Sequence, residues 1–248
     1  MTFENNIALV TGGGSGIGQA TCLQLAREGA RVAVVDIDRA AGCETVCQIE
    51  VAGGTAIYLH ADVSQSADVQ GAINRLLEEW GRLDILINNA GIMRFQPITE
   101  LSEADWDRVM GVNLRAAFLF CKYALPHMKH ADGRKGGSIT NVSSVHAQAT
   151  TRNVSAYAAS KGGLEAFTRA LSIEAEPHNV RANVVAPGAV DTPLLWTNPN
   201  LQSGEEKLEG AVASSESVAE AICFIASRKA QFVSGSVLAV DAGRLARL

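Results

Sequence analysis

No apolar stretch in this 248-residue chain is long enough to cross a bilayer. The longest uninterrupted runs are six residues, Ala116–Cys121 and Ala221–Ala226, against roughly 20 for a spanning helix. The N-terminus, MTFENNIALVTGG, has neither a basic leading region nor a long apolar one, so no signal peptide and no membrane partner are expected. Basic clusters are missing too. A net charge of −5 and a pI near 5.6 argue against nucleic acid as a main partner. The five cysteines, at 22, 43, 47, 121 and 223, form no framework. Cys43 and Cys47 stand four apart on an expected helix and match no zinc or redox spacing. Reduced thiols acting as small core filler in a cytoplasmic protein are therefore expected, with no metal site. Disorder is excluded as well, because 47% of residues are apolar and only 19% charged.

Glycine is in slight excess, with 23 residues, which hints at backbone approaching a ligand. Short β-branched runs alternate with helical periods. Strands are expected at 7–10, 31–36, 55–60, 83–87, 138–142, 180–186 and 236–240. Helices are expected at 19–28, 39–51, 66–80, 102–130, 156–175 and 217–227. In the third of these, apolar residues fall at 69, 72, 73, 76, 77 and 80, one face of a helix. The strands are near-continuously apolar, as in a sheet buried on both faces. This predicts an α/β chain built as one domain over 1–248, with a doubly wound parallel sheet and helices on both faces. Residues 193–215 hold no period and read as a lid. Residues 130–137, HADGRKGG, read as a polar surface loop.

The first strand enters the first helix through Thr11-Gly12-Gly13-Gly14-Ser15-Gly16-Ile17-Gly18. Glycines admit a close phosphate, and a helix N-terminus offers free N–H groups and a positive dipole. The spacing G-x-x-x-G-x-G differs from the usual dinucleotide fingerprint, and no P-loop lysine follows. A plain strand-to-helix turn is the lesser alternative for this segment taken alone. Asp36 adds weight: it ends the second strand, 24 residues after Gly12. A carboxylate there accepts hydrogen bonds from both adenosine-ribose hydroxyls and repels a 2′-phosphate, which points to NAD. Neither Gly14 nor Ile37 is basic, and Arg39 is expected on the helix surface. Asp62-Val63 and Asn88-Asn89-Ala90-Gly91 follow the third and fourth strands, at the sheet edge where ligands bind.

A chemical cluster follows. Tyr157 and Lys161 are four apart on one helix, so they share a face. A nearby Lys⁺ favours phenolate over phenol and lowers the tyrosine pKa, which makes Tyr157 a general acid/base candidate. A solvated helix face gives the same spacing. Ser144 ends the preceding strand, as a substrate contact or as a turn residue. Asn113 sits inside the long helix, where asparagine is a poor helix former; a surface position or a kink holding water both fit.

Together, TGGGSGIG (11–18), Asp62, NNAG (88–91), Asn113 in GVNL, Ser144 in NVSSV, YAASK (157–161) and PGAVDT (187–192) resemble the short-chain dehydrogenase/reductase family over essentially the whole chain. The resemblance implies a Rossmann-type fold with seven parallel strands and a tetrad Asn113–Ser144–Tyr157–Lys161. In it Tyr157 exchanges the proton and Ser144 polarises the substrate oxygen. Lys161 lowers the tyrosine pKa and holds the nicotinamide ribose, and Asn113 positions a relay water. It also implies cofactor contacts from Gly12, Ser15, Gly16, Ile17, Gly18, Asp36, Ile37, Asp62 and Val63. Asn89, Ala90, Gly91, Tyr157, Lys161, Pro187 and Gly188 continue that set, with Val190 and Thr192 on the carboxamide. V-D-A-G at 240–243 departs from the family's commoner V-D-G-G at Ala242.

The activity so implied is NAD-dependent interconversion of a secondary alcohol, or a sugar hemiacetal, and its carbonyl. A 3-oxoacyl-type ketoreductase and a non-catalytic NAD-binding protein are the alternatives. Asp36 opposes the first, which commonly uses NADPH, and the presence of Tyr157 and Lys161 opposes the second. The loop residues His146, Gln148, Arg152 and Asn153 point to a small polyol or sugar as substrate. Met93, Leu194, Leu195 and Trp196 are candidate apolar walls. Apolar residues Ala116, Ala117, Phe118 and Phe120 are expected to bury against a partner chain, and the resemblance implies a homotetramer.

Overall fold

The computed structural model describes residues 1–128, 136–204, 208 and 210–246. Seven parallel strands form one sheet: β1 (Ile7–Thr11), β2 (Arg31–Asp36), β3 (Thr55–His60), β4 (Ile85–Asn88), β5 (Ser138–Val142), β6 (Arg181–Pro187) and β7 (Val237–Val240). Their order is β3-β2-β1-β4-β5-β6-β7, the doubly wound arrangement expected from the sequence. Strand order reverses beside β1, which pairs with β2 through Leu9–Ala33 and with β4 through Leu9–Leu86. Crevices for ligands open at such a switch point.

Alternation along β1 sorts its side chains onto two cores. Ile7 and Leu9 join Val69, Leu76, Phe120 and Leu171 on one face. Ala8 and Val10 join Leu25, Ile49, Val218 and Ile222 on the other. The first face is covered by α3 (Ser66–Trp80), α5 (Ala116–Ala124) and α6 (Ser155–Glu174), the second by α1 (Gly16–Arg27), α2 (Arg39–Val51) and α9 (Ser215–Ala226). Helix ends follow local chemistry. Asp38 caps α2 by accepting from the N–H groups of Ala40 and Ala41, and Gly81, at φ 78°, stops α3.

Several expectations change. The long helix expected from residue 102 is α4 (Glu103–Met110), one π turn over Gly111–Arg115, α5, and a short 3-10 turn at Leu125–His127. Its expected last residues, and the polar loop at 130–137 up to 135, lie outside the described residues. Ala116, Ala117 and Phe120 are buried within the chain itself, so only Phe118 of that expected partner surface is exposed. Cys22, Cys121 and Cys223 are core filler, but Cys43 and Cys47 are exposed on the outer face of α2. The expected lid contains two short helices, α7 (Pro193–Trp196) and α8 (Pro199–Ser203). Each is one turn long and shows no period, yet Thr192-Pro193 and Asn198-Pro199 are cap-plus-proline starts.

Candidate active site

A cleft of about 560 Å³ runs along the C-terminal ends of the strands. At one end β1 turns into α1. Gly12 has φ 65° and Gly16 φ 51°, values that favour glycine. A Cβ on Gly12 would stand 3.0 Å from the Cα of Ala90, and one on Gly16 3.0 Å from Cγ2 of Thr192. Ser15 precedes α1 without a side-chain cap, so the first N–H groups of the helix have no such partner. Asn89 locks this turn to β4: its amide donates to the carbonyls of Thr11 and Gly12, at 3.0 and 3.3 Å. Gly12, Ser15, Gly16 and Ile17 line the cleft, whereas Gly18 is buried against the Gly12 carbonyl and lies behind the wall.

Asp36 stands where β2 ends and faces the same cleft. Its Oδ2 accepts the Gly14 N–H at 2.8 Å and its Oδ1 accepts the Asp38 N–H at 2.9 Å. Two backbone donors therefore fix the carboxylate beside the glycine turn. Ile37, Asp62 and Val63 line the cleft nearby. Asp62 is braced by the N–H and hydroxyl of Ser64, at 3.0 and 2.7 Å.

At the other end stand Ser144, Tyr157 and Lys161. A buried polar ladder seats their helix: Asn88 donates to Asn141, and Asn141 to Thr168 of α6, both at 2.8 Å. Ser143 donates to the Lys161 carbonyl at 3.2 Å. These bonds set α6 against β5, so that Tyr157 and Lys161 face the residues following that strand. Lys161 Nζ donates to the Val142 carbonyl at 2.7 Å and lies 5.6 Å from the Tyr157 ring centroid. Burial lowers the lysine to about 8. Burial also raises the Tyr157 phenol above its ordinary value, opposed by a hydrogen bond from Ser144. The tyrosine expected to be lowered by the nearby lysine is instead raised, with burial the first cause.

Asn113 occupies the π turn. Its side chain accepts the Ile92 N–H at 2.8 Å and donates to the Ile92 carbonyl at 2.9 Å and to Ser160 at 3.0 Å. The kink read from the sequence is real, and it directs a buried amide at the loop after β4. A Cβ on Gly91 would lie 3.4 Å from Lys161 Nζ and 3.5 Å from Asn113 Oδ1, so these two groups converge on that glycine. Ala90 and Gly91 line the cleft with Asn89, and Pro187, Gly188, Val190 and Thr192 form its wall after β6.

Of the loop residues expected to meet substrate, His146 is in the wall. Gln148 and Arg152 are exposed, and Asn153, a left-handed turn residue at φ 65°, gives its carbonyl to Gln96. Trp196 donates its indole N–H to Asp191 at 2.6 Å. None of these four lines the cleft. Spacing along a loop did not reveal which side chains turn inward. Met93, Leu194 and Leu195 do line it, joined by Phe95, Arg244 and Leu245, which sequence reasoning missed. No local motif marked those last three.

A glycine turn at the sheet switch point and a Ser144, Tyr157 and Lys161 group at the far end of one cleft match the layout of a dinucleotide-dependent oxidoreductase. The model of the family described as short chain dehydrogenase matches residues 6–202. The chain belongs to that family. It is 37% identical over 247 residues to a cyclopentanol dehydrogenase of Comamonas sp. (strain NCIMB 9872), covering 97% of each chain. It is 39% identical over 246 residues to the cis-4-hydroxycyclohexanecarboxylate dehydrogenase of Sinomonas cyclohexanicum, again covering 97% of each. Among solved structures, a dehydrogenase/reductase from Sinorhizobium meliloti 1021 superposes with a TM-score of 0.89 at 33% identity, covering 98% of this chain and 96% of that one.

Enzymes of this family use a nicotinamide dinucleotide, and the residues present fit one. The uncapped start of α1 and the glycine cradle at Gly12 and Gly16 leave room and donors for a pyrophosphate. No helix among the described residues is long and apolar enough to cross a membrane, and no group of three or more His, Cys, Asp or Glu among them is placed to hold a metal.

Proposed function

We propose that the protein oxidises a compact secondary alcohol to its ketone with NAD⁺, and reduces the ketone with NADH. The observation that carries this reading is one cleft with Asp36 at one end and Ser144, Tyr157 and Lys161 at the other. The relatives named for cyclopentanol and hydroxycyclohexanecarboxylate support an alcohol on a small ring. So do the apolar walls Met93, Phe95, Val145, Leu194 and Leu195. NAD is preferred because Asp36 presents a carboxylate, already tied to Gly14 and Asp38, where a 2′-phosphate would sit.

The bound nicotinamide supplies the hydride chemistry. The chain supplies the rest. Tyr157 holds its proton at neutral pH, because burial favours the uncharged phenol. It gives that proton to a ketone oxygen in reduction and must lose it before accepting one from an alcohol. Ser144 donates to the same oxygen and orients it. Lys161, charged below about 8, favours phenolate and would hold the nicotinamide ribose when the cofactor is bound. Asn113 holds the Ile92 loop in place, and its Oδ1 and Lys161 Nζ converge on Gly91, where a relay water would be held.

A polyol or sugar is the second reading, supported by His146, Thr150 and Thr151 in the wall. A turnover panel tests both readings: cyclopentanol, cyclohexanol, sorbitol, glucose and a 3-oxoacyl thioester, each with NAD(H) and NADP(H). Efficient oxidation of the cyclic alcohols with NAD⁺ is expected. Turnover of only the sugars supports the second reading, and turnover of the thioester with NADPH alone overturns both. Assembly as a homotetramer is part of the proposal. Phe118, packed edge-on against Phe167 yet 44% exposed, and Ile173, 72% exposed, would be covered in it. A monomer by light scattering at micromolar concentration would contradict it.

A further inference from the structure

The charges of the cleft are unevenly placed. Its two acidic side chains, Asp36 and Asp62, follow β2 and β3, at one edge of the sheet. Arg108 belongs to that end. It lies one turn before Gly111 and Val112, on the helix face that meets Ser64: a Cβ on Gly111 would be 3.6 Å from the Ser64 Cβ, and Arg115 donates to the Ser64 carbonyl at 2.7 Å. Arg244 is different. It follows β7, the strand at the opposite edge, five strand spacings or roughly 24 Å from β2. There it shares the cleft wall with Leu195, Leu245 and the residues after β5 and β6. At this end the described lining residues include no carboxylate.

Arg244 is half-buried and has no ion pair or side-chain hydrogen bond among the described residues. The acid nearest in sequence, Asp241, is occupied elsewhere. Its Oδ1 accepts the Gly243 N–H at 2.9 Å and its Oδ2 accepts the Leu245 N–H at 2.8 Å. Those bonds close a tight turn, with Ala242 at φ 53° and Gly243 at φ 77°. The turn is packed from below, since a Cβ on Gly188 would meet the Asp241 Cα at 2.9 Å. The backbone that carries Arg244 is therefore held from both sides, while its guanidinium has no partner among the described residues. A half-buried arginine in a cleft wall, with no ion pair among the described residues, can bind a carboxylate through two parallel hydrogen bonds.

We propose that the natural substrate is a hydroxy acid: a secondary alcohol on a compact apolar skeleton, carrying a carboxylate that Arg244 binds. This rests on the alcohol-oxidation reading for what the carboxylate is attached to. Lys161 and His146 add no negative charge at that end, so an anionic substrate meets no repulsion beside Tyr157.

The probes are cyclohexanecarboxylate and its neutral isostere cyclohexanecarboxamide, titrated calorimetrically into the full-length protein with NADH present. The carboxylate should bind roughly 10- to 100-fold tighter than the amide, the range of a charge-assisted hydrogen bond. Arg244→Met should erase that ratio, and Arg244→Lys should keep part of it. Raising the salt concentration should weaken only the carboxylate, a check needing no variant. Equal binding of the two probes by the wild type overturns the proposal, as does a preference that survives Arg244→Met. Cyclohexanol oxidation with NAD⁺ is measured in parallel. If it proceeds while the probes bind equally, only this inference falls. If it is absent while the carboxylate binds through Arg244, the alcohol reading falls and the carboxylate site stands.

Discussion

The ring of His146 stands edge-on to the ring of Tyr157, with centroids 5.7 Å apart and an interplanar angle of 78°. The histidine is anchored twice. Its Nδ1 is 3.0 Å from Oγ1 of Thr150, and its backbone N–H donates to Oγ of Ser144 at 3.2 Å. It therefore shields the phenol that burial pushes up. Replacing His146 by Ala lets water reach Tyr157, so the phenol should fall back towards its ordinary value. Alcohol oxidation, which needs phenolate, should then begin at lower pH, and the pH dependence of kcat measures the shift. In the same variant a larger rise in KM for a polyol than for cyclohexanol would favour the polyol reading.

Tyr157→Phe keeps the packed ring and removes the proton donor. Turnover should fall by roughly 10²- to 10⁴-fold, the usual contribution of a positioned acid/base. Thermal unfolding should be little changed, since the lost hydroxyl is buried and its removal relieves desolvation. Cofactor binding, followed by NADH fluorescence, should survive. A Phe variant with near-native turnover would remove Tyr157 from the mechanism.

Lys161 gives a stability prediction with a definite sign. Its amine falls to about 8 in the folded chain because of burial, while an unfolded lysine titrates near 10.4. Between those values the unfolded state holds the extra proton, so folding stability rises with pH across that window. Below about 8 the buried charge costs on the order of 3 kcal/mol relative to pH 10.5. Lys161→Met lacks this term. Urea unfolding at pH 7.5 and pH 10 should show wild type gaining on the variant as pH rises. A pH-independent difference would refute the burial assignment. Turnover of the variant should be lost at every pH.

Asp36→Ala removes the acceptor of two backbone N–H groups, from Gly14 and Asp38. Leaving them without that partner should cost about 1–3 kcal/mol. Discrimination between NAD⁺ and NADP⁺ in kcat/KM should fall at the same time, by tenfold or more. Wild-type protein that uses both equally would refute the role given to this carboxylate.

The fold was legible because its signals are local. Seven β-branched runs and the helical periods between them required only a count of spacings, and the doubly wound arrangement followed from right-handed crossovers. The nucleotide turn and the Tyr157–Lys161 pair were legible for the same reason. The π turn at Gly111–Arg115 left one trace, a poorly helix-forming Asn113 within an apolar helix. What could not be read was direction. Gln148 and His146 are two residues apart on one loop, yet one is exposed and the other lines the cleft. Ala116 and Phe120 looked like partner surface, but the sheet and α3 leave no gap beside them. Arg244 carried no motif, because its place depends on β7 lying beside β6 and on a turn closed by Asp241.

The hydrogen bond from Ile7 N–H to Asp84 Oδ2, 2.7 Å long, joins residues 77 positions apart. Strand β1 therefore waits for β4 before its second edge is covered. On a ribosome, β1 to β4 and the whole adenosine half of the cleft have emerged before Tyr157 is translated. Arg244 emerges later still, 87 residues after Tyr157. The nascent protein can shape the Asp36 end of the cleft well before it owns the Tyr157 end. A nucleotide bound at that stage would stabilise the growing domain by mass action, and it would do so in a chain not yet able to turn over.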